Sequence, residues 1–147
     1  MKKVLFVCHG NICRSPMAEA VMKHLAAREG VSDRFYIDSA AVSPEELGNP
    51  VYGPARHVLA AHGIACPDHR ARVITREDVK SFDRIYYMDR SNARYLARMF
   101  PAAPNIFPLL SRDVADPWYY GNFEGTFRDI WEGCSRILQE QTGIRTE

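Results

Sequence analysis

Cys8 closes an apolar run and stands six residues before an arginine, in the stretch Val7-Cys8-His9-Gly10-Asn11-Ile12-Cys13-Arg14-Ser15-Pro16. A thiol attacks as its thiolate, and a thiolate forms readily where the surroundings are electropositive. The residues after Cys8 can supply such surroundings. Gly10 and Asn11 suit a tight loop whose successive backbone N–H groups converge on an anion. The helix expected to follow adds the positive end of its dipole. Arg14 adds a planar guanidinium fork that matches phosphate oxygens. His9 through Ser15 therefore read as a cradle for inorganic phosphate or another oxyanion, with Cys8 as the nucleophile beneath it. The plainer reading is a buried cysteine in an ordinary strand-turn-helix connection.

Hydrolysis of a phosphate monoester through a cysteinyl phosphate needs a second participant, to protonate the departing oxygen and later to activate water. Asp116, in Asp116-Pro117-Trp118-Tyr119-Tyr120-Gly121-Asn122, is the best candidate: an acid before a stiffening proline, among aromatic residues. Its alternative is the start of an Asx-type turn. Ser15 can donate to the Cys8 sulfur or cap the next helix, with Pro16 as that helix's first residue. Asn11 tolerates left-handed backbone and can brace the loop through its amide. Cys13 reads as a small packing residue beside its helix.

The string from Val7 to Glu19, close to the N-terminus, resembles the low-molecular-weight protein tyrosine phosphatases, and so does the Asp116-Pro117-aromatic-Tyr segment. The resemblance extends over nearly the whole chain and implies a phosphotyrosyl-protein substrate, with Cys8, Arg14 and Asp116 as the catalytic set. It implies that Asn11 is tied to Ser39 and His69, that Asp89 contacts the loop, and that Cys13 can form a reversible disulfide with Cys8. Taken alone, Ser39 and His69 would read as surface or turn residues, and Asp89 as a helix cap. The chain departs from the pattern after its second strand. Many members carry an aromatic wall there, whereas this chain reads Ser43-Pro44-Glu45-Glu46-Leu47. Tyr52, Trp118 or Tyr119 can replace that wall, and the two glutamates are expected to disfavour acidic peptides. Relatives acting on phosphoarginine carry a threonine where this chain has Ile12, which favours tyrosine. Arsenate reductases of the same fold resolve their adduct with a cysteine pair in mid-chain, where this sequence has Cys66 alone.

The elements that must position these groups alternate. A strand ending at Cys8 leads into an amphipathic helix over 16–28, closed near Gly30. A strand over 35–40, a loop over 42–52 and a short helix over 54–61 ended by Gly63 follow. Thr75 to Asp78 reads as a capped helical turn. A strand over 84–88, a helix over 91–99 and a strand over 105–110, with Pro108 at an edge, come next. The last helix spans 125–141, with Phe127, Ile130, Trp131, Cys134, Ile137 and Leu138 at core spacing. Alternation of this kind predicts one α/β domain over 1–147. Its core is an open four-stranded parallel sheet of order 2-1-3-4, with helices on both faces. The Cys8 loop then falls where strand order reverses, the usual ligand position.

The 147 residues carry a net charge of +1, which gives no electrostatic argument for nucleic acid or an anionic membrane. No apolar run is long enough to span a bilayer. Neither nucleotide-binding glycine motif is present. His9, His24, His57 and His62 lack metal-site spacing, Cys66 and Cys134 read as inert, and neither a metal nor a cofactor is expected. Arg70, Arg72 and Arg76 read as a solvated face. A free working thiol suits a reducing compartment, so a cytoplasmic monomer is the expectation. A non-catalytic phosphate-binding module or phosphocysteine carrier is disfavoured, because Cys8, Arg14 and Asp116 occur together and a carrier gains nothing from an acid.

Overall fold

The computed structural model describes residues 1–145. Strands β1 (Lys2–Cys8), β2 (Phe35–Ala41), β3 (Arg84–Tyr87) and β4 (Ile106–Pro108) form one sheet of order β2-β1-β3-β4, every neighbouring pair parallel. This is the expected order. Pro108 sits on the edge strand β4, opposite Tyr87, where its missing N–H leaves no interior ladder bond unmade.

β1 lies at the centre and is covered on both faces, which explains its unbroken apolar run. Val4, Phe6 and Cys8 point into the larger core, with helices α1 (Arg14–Arg28), α2 (Gly53–Ala61) and α6 (Phe123–Thr142). Leu5 and Val7 point the other way, toward Ile85, Ile74, Phe82 and Leu96 on the side of α3 (Arg76–Ser81) and α4 (Arg90–Met99). A short helix α5 (Pro117–Tyr120) precedes α6.

Helix α1 differs from the expectation in two ways. It begins at Arg14, with Cys13 at the N-cap and no side-chain cap bond. Pro16 is thus the third helical residue, tolerated because the first four helical N–H groups lack intrahelical acceptors. The helix is also not amphipathic along its first half. Every residue from Arg14 to Met22 is buried, because sheet, α2 and α6 enclose that end. The remaining starts follow local chemistry. Thr75 and Asp78 form a reciprocal capping box for α3, as do Asp89 and Asn92 for α4. Helix α6 starts at Phe123, two residues earlier than expected, because Asn122 accepts the Gly125 N–H.

Candidate active site

The loop from Cys8 to Arg14 curls over the carboxyl end of β1. Asn11 adopts a left-handed conformation (φ 62°), the one non-glycine residue among those described to do so. That turn aims backbone donors inward. The N–H groups of Asn11 and Ser15 reach the Cys8 sulfur at 3.3 and 3.4 Å. Two of the donors expected for an oxyanion thus face the sulfur in this structure. The Ser15 hydroxyl lies 3.0 Å from the same sulfur. Of the two sequence readings of Ser15, the structure realises the contact with Cys8.

The Asn11 amide organises the ring from below. Its Oδ1 accepts the backbone N–H of Arg72 at 3.2 Å, which fixes the amide orientation because a backbone N–H only donates. Oδ1 also accepts from His69 Nε2 at 2.6 Å. The Nδ2 group donates to the Ser15 hydroxyl at 2.7 Å and to the Ser39 hydroxyl at 3.0 Å. With a lone pair of Ser15 so occupied, its proton can go to the sulfur at 3.0 Å or to the more distant Ala40 carbonyl at 3.4 Å. The Ser39 hydroxyl in turn donates to Glu19 Oε1 at 2.7 Å. Ser39 and His69 are therefore brought to Asn11 as the resemblance implied; Ser39 is buried and His69 partly so, its side chain 9 % exposed.

Arg14 is 2 % exposed, yet its guanidinium reaches the loop from within the molecule. Nη1 donates to Asp89 Oδ2 and to the Val114 carbonyl, each at 2.8 Å, and Nη2 lies 3.6 Å from Asp116 Oδ2. Burial works against its charge, but Cys8, Asp89 and Asp116 outweigh that and hold it above the ordinary arginine range. Asp116 takes up the turn-start reading and also looks into the pocket. One oxygen accepts the Trp118 N–H at 3.0 Å, capping α5, while the other faces Arg14 across the pocket. Burial, then the electrostatic influence of Cys8 and Asp116, pushes the Cys13 thiol up to about 12. Cys8 and Cys13 are both free thiols here.

The pocket above Cys8 encloses about 130 Å³ and is lined by residues 8–14, Glu45, Glu46, Asp116, Trp118 and Tyr119. Trp118 and Tyr119 are the aromatic residues that line it. Tyr52 does not line the pocket, contrary to expectation. Its N–H is bound to the Ile12 carbonyl, and its ring stands behind Trp118 at 4.7 Å and beside Phe123. Ser15 likewise lies under the loop rather than in the pocket.

Glu19 and Arg72 were not anticipated. An i,i+4 Glu–Lys pair usually marks a surface, but Glu19 is buried, shared between Ser39 and Lys23. Arg72 is not part of a solvated face, because it pairs with Asp38 at 3.0 Å and Asp78 at 2.8 Å. Glu19, Asp38 and His69 come together closely enough to suggest a cation site. Their atoms already serve Ser39, Lys23, Arg72 and Asn11, so the trio reads as the foundation under the loop. Among the described residues no helix is long and apolar enough to cross a membrane.

Comparison with known proteins finds relatives over nearly the whole chain. The family model described as low molecular weight phosphotyrosine protein phosphatase matches residues 3–144. The Rattus norvegicus protein of that name is 46 % identical over 148 residues, covering 94 % of this chain and 92 % of the relative. The Bacillus subtilis low molecular weight protein-tyrosine-phosphatase YfkJ is 40 % identical over 147 residues, covering 94 % of each. The crystal structure of YfkJ superposes with a TM-score of 0.91 at 37 % identity, covering 97 % of both chains. That of DARP, a Drosophila arginine phosphatase, gives 0.84 at 34 % identity, covering 97 % of this chain and 98 % of that one. A cysteine under a ring of amides, an arginine held at its side and an acid across the pocket thus stand in a chain that belongs to the low-molecular-weight phosphotyrosine protein phosphatases, a family of hydrolases.

Proposed function

We propose that this chain hydrolyses phosphotyrosine in proteins, and small aryl phosphates, through a cysteinyl phosphate on Cys8 with Asp116 as general acid and then general base. The observation that carries the reading is the convergence of Cys8, Arg14 and Asp116 on one pocket with an aromatic wall. The names of the relatives point the same way.

In the first step the Cys8 thiolate attacks phosphorus in line. The S–P bond forms as the bond to the aryl oxygen breaks, and Asp116 gives its proton to that oxygen. Arg14 and the loop N–H groups, already held in place, stabilise the charge on the equatorial oxygens. In the second step water attacks phosphorus, Asp116 takes its proton, and the S–P bond breaks to release inorganic phosphate. The Ser15 hydroxyl then steadies the departing sulfur, while Asn11, Ser39 and His69 keep that hydroxyl in place. Cys13 supports the turn at the head of α1.

Matched peptides bearing phosphotyrosine, phosphoserine or phosphoarginine test the reading. Phosphotyrosine is expected to be turned over fastest by a wide margin, because a narrow pocket with Trp118 and Tyr119 at its mouth suits a long flat ester. Phosphoarginine is the competitor, given the resemblance to the Drosophila arginine phosphatase, and its preference over phosphotyrosine would overturn the assignment. Cys8→Ser should lose turnover of every substrate while still binding inorganic phosphate. Appreciable turnover by that variant would falsify the covalent route.

A further inference from the structure

The two walls of the pocket differ in kind. Trp118 and Tyr119, 52 % and 79 % exposed, offer aromatic faces to a substrate ring. The same pocket is also lined by Glu45 and Glu46. Neither glutamate is a loose surface side chain. The Glu45 carboxylate meets His9 Nε2 at 3.0 Å, and its backbone N–H donates to the Ser43 hydroxyl at 3.2 Å. His9 itself belongs to the phosphate loop, and its ring is braced edge-on against Tyr95 at 5.6 Å. Glu46 accepts from Asn49 Nδ2 at 2.6 Å. Its stem crosses the loop so closely that a Cβ on Gly10 would lie 3.2 Å from Glu46 Cγ.

The rim therefore carries three carboxylates, Glu45, Glu46 and Asp116, against the single imidazole of His9. Arg14 cannot compensate at the rim, being buried and engaged with Asp89 and Val114. Arg70 does not line the pocket, and its guanidinium donates to the Gly48 carbonyl at 3.3 Å. A substrate whose phosphoryl group reaches Cys8 through its ring must carry its peptide backbone across this rim. The residues beside the phosphotyrosine then pass within the field of Glu45.

We propose that Glu45, positioned by His9, is a specificity determinant that selects phosphotyrosine flanked by lysine or arginine. This rests on the phosphotyrosine reading given above and adds the sequence context of the substrate. Glu45 is two-thirds exposed, so solvent screens the attraction. Charges on an interface rim act chiefly on encounter rather than on the chemical step. The selection accordingly lies in kcat/KM, with kcat little changed, and it is salt-sensitive.

Three phosphotyrosine peptides that differ only in the two flanking residues (lysine, alanine or glutamate) provide the test. At low ionic strength kcat/KM is expected to fall in the order lysine, alanine, glutamate, with about tenfold between the extremes. The ratio should shrink severalfold in molar salt. Glu45→Lys should reverse the order and Glu45→Gln should narrow it, each ratio being taken within one protein so that overall loss of rate does not enter. Either variant alone suffices if the other fails to fold. Equal kcat/KM for the three peptides, a preference for glutamate, or a ratio untouched by both Glu45 variants overturns the proposal and leaves the phosphatase reading standing. Failure to turn over any phosphotyrosine peptide overturns both.

Discussion

Asp116 bears on two structures at once, and its dual role makes its substitution informative. Its carboxylate caps α5 and faces Arg14, so replacement disturbs both a turn and a charge. Asp116→Asn keeps the cap acceptor and removes the proton donor. For phenyl phosphate, whose leaving group needs a proton, kcat should fall about 10²–10⁴-fold. For a nitrophenyl ester, whose leaving group departs as an anion, the loss in the phosphorylation step should be far smaller. Burst kinetics across a series of aryl phosphates measure the contrast, and a uniform loss would remove Asp116 from the acid role. Asn11 can be dissected in the same way. Its φ of 62° costs an alanine about 1–2 kcal/mol of strain, whereas glycine adopts it freely. Both variants lose the four hydrogen bonds of the amide. Asn11→Gly should therefore fold better than Asn11→Ala while losing a similar factor in kcat, as urea titration and steady-state kinetics together report. Similar stabilities would mean that the amide, not the backbone, dominates this residue's contribution.

At the scale of elements, the α3 start shows a capping box recruited into long-range electrostatics. Asp78 accepts from the Thr75 N–H at 2.8 Å and from Arg72, which in turn holds Asp38 and lends its own N–H to Asn11. Burial raises the Asp78 carboxyl, but the bonds from Arg72 and Thr75 outweigh it and leave the group below its ordinary 3.8. A carboxyl lowered in the folded state contributes stability that is complete above the unfolded value and is lost as pH falls through the folded one. Asp78→Asn should thus cost about 1–2 kcal/mol in urea unfolding at pH 6. The gap from the unsubstituted protein should close as pH drops below 3.8. A gap that persists unchanged into acid would mean that shape rather than charge matters there. Caps of this kind are legible in sequence because donor and acceptor lie three residues apart. The strand order was legible for a related reason, since alternating strands and helices admit few topologies. The start of α1 was not. Ser15-Pro16 carries a helix-start signal, but the Ser15 oxygen turns to Cys8, and the loop itself delivers Arg14 in helical conformation. Glu19, Arg72 and the Val114 carbonyl were beyond reach because only tertiary folding brings them to the loop. Tyr52 failed as a wall residue for the converse reason: its backbone is already tied to Ile12.

Taken whole, the molecule gathers three separate segments at the carboxyl end of its sheet, and Arg14 is their common partner. The loop after β1 supplies the ring, Asp89 after β3 and Val114 after β4 fix the guanidinium, and Asp116 faces it from the start of α5. An oxyanion in the ring would engage the backbone N–H groups and this same guanidinium, so its binding should be felt by all three segments. A ligand bound only by the folded state stabilises by RT ln(1 + [L]/Kd), about 2.7 kcal/mol at a hundredfold excess over Kd. Inorganic phosphate or vanadate should therefore raise the thermal midpoint by several degrees in a concentration-dependent way. Hydrogen exchange should slow in residues 8–15 and in 112–119, although these are about a hundred residues apart in the chain. Arg14→Lys keeps the charge but loses the planar fork that reaches Asp89 and Val114 together. In that variant most of the thermal shift should vanish, and the protection of 112–119 should vanish with it. If phosphate protected the ring alone, leaving 112–119 exchanging at its free rate, the coupling through Arg14 would be refuted, and the acid on that segment would have to find its position independently of the bound substrate.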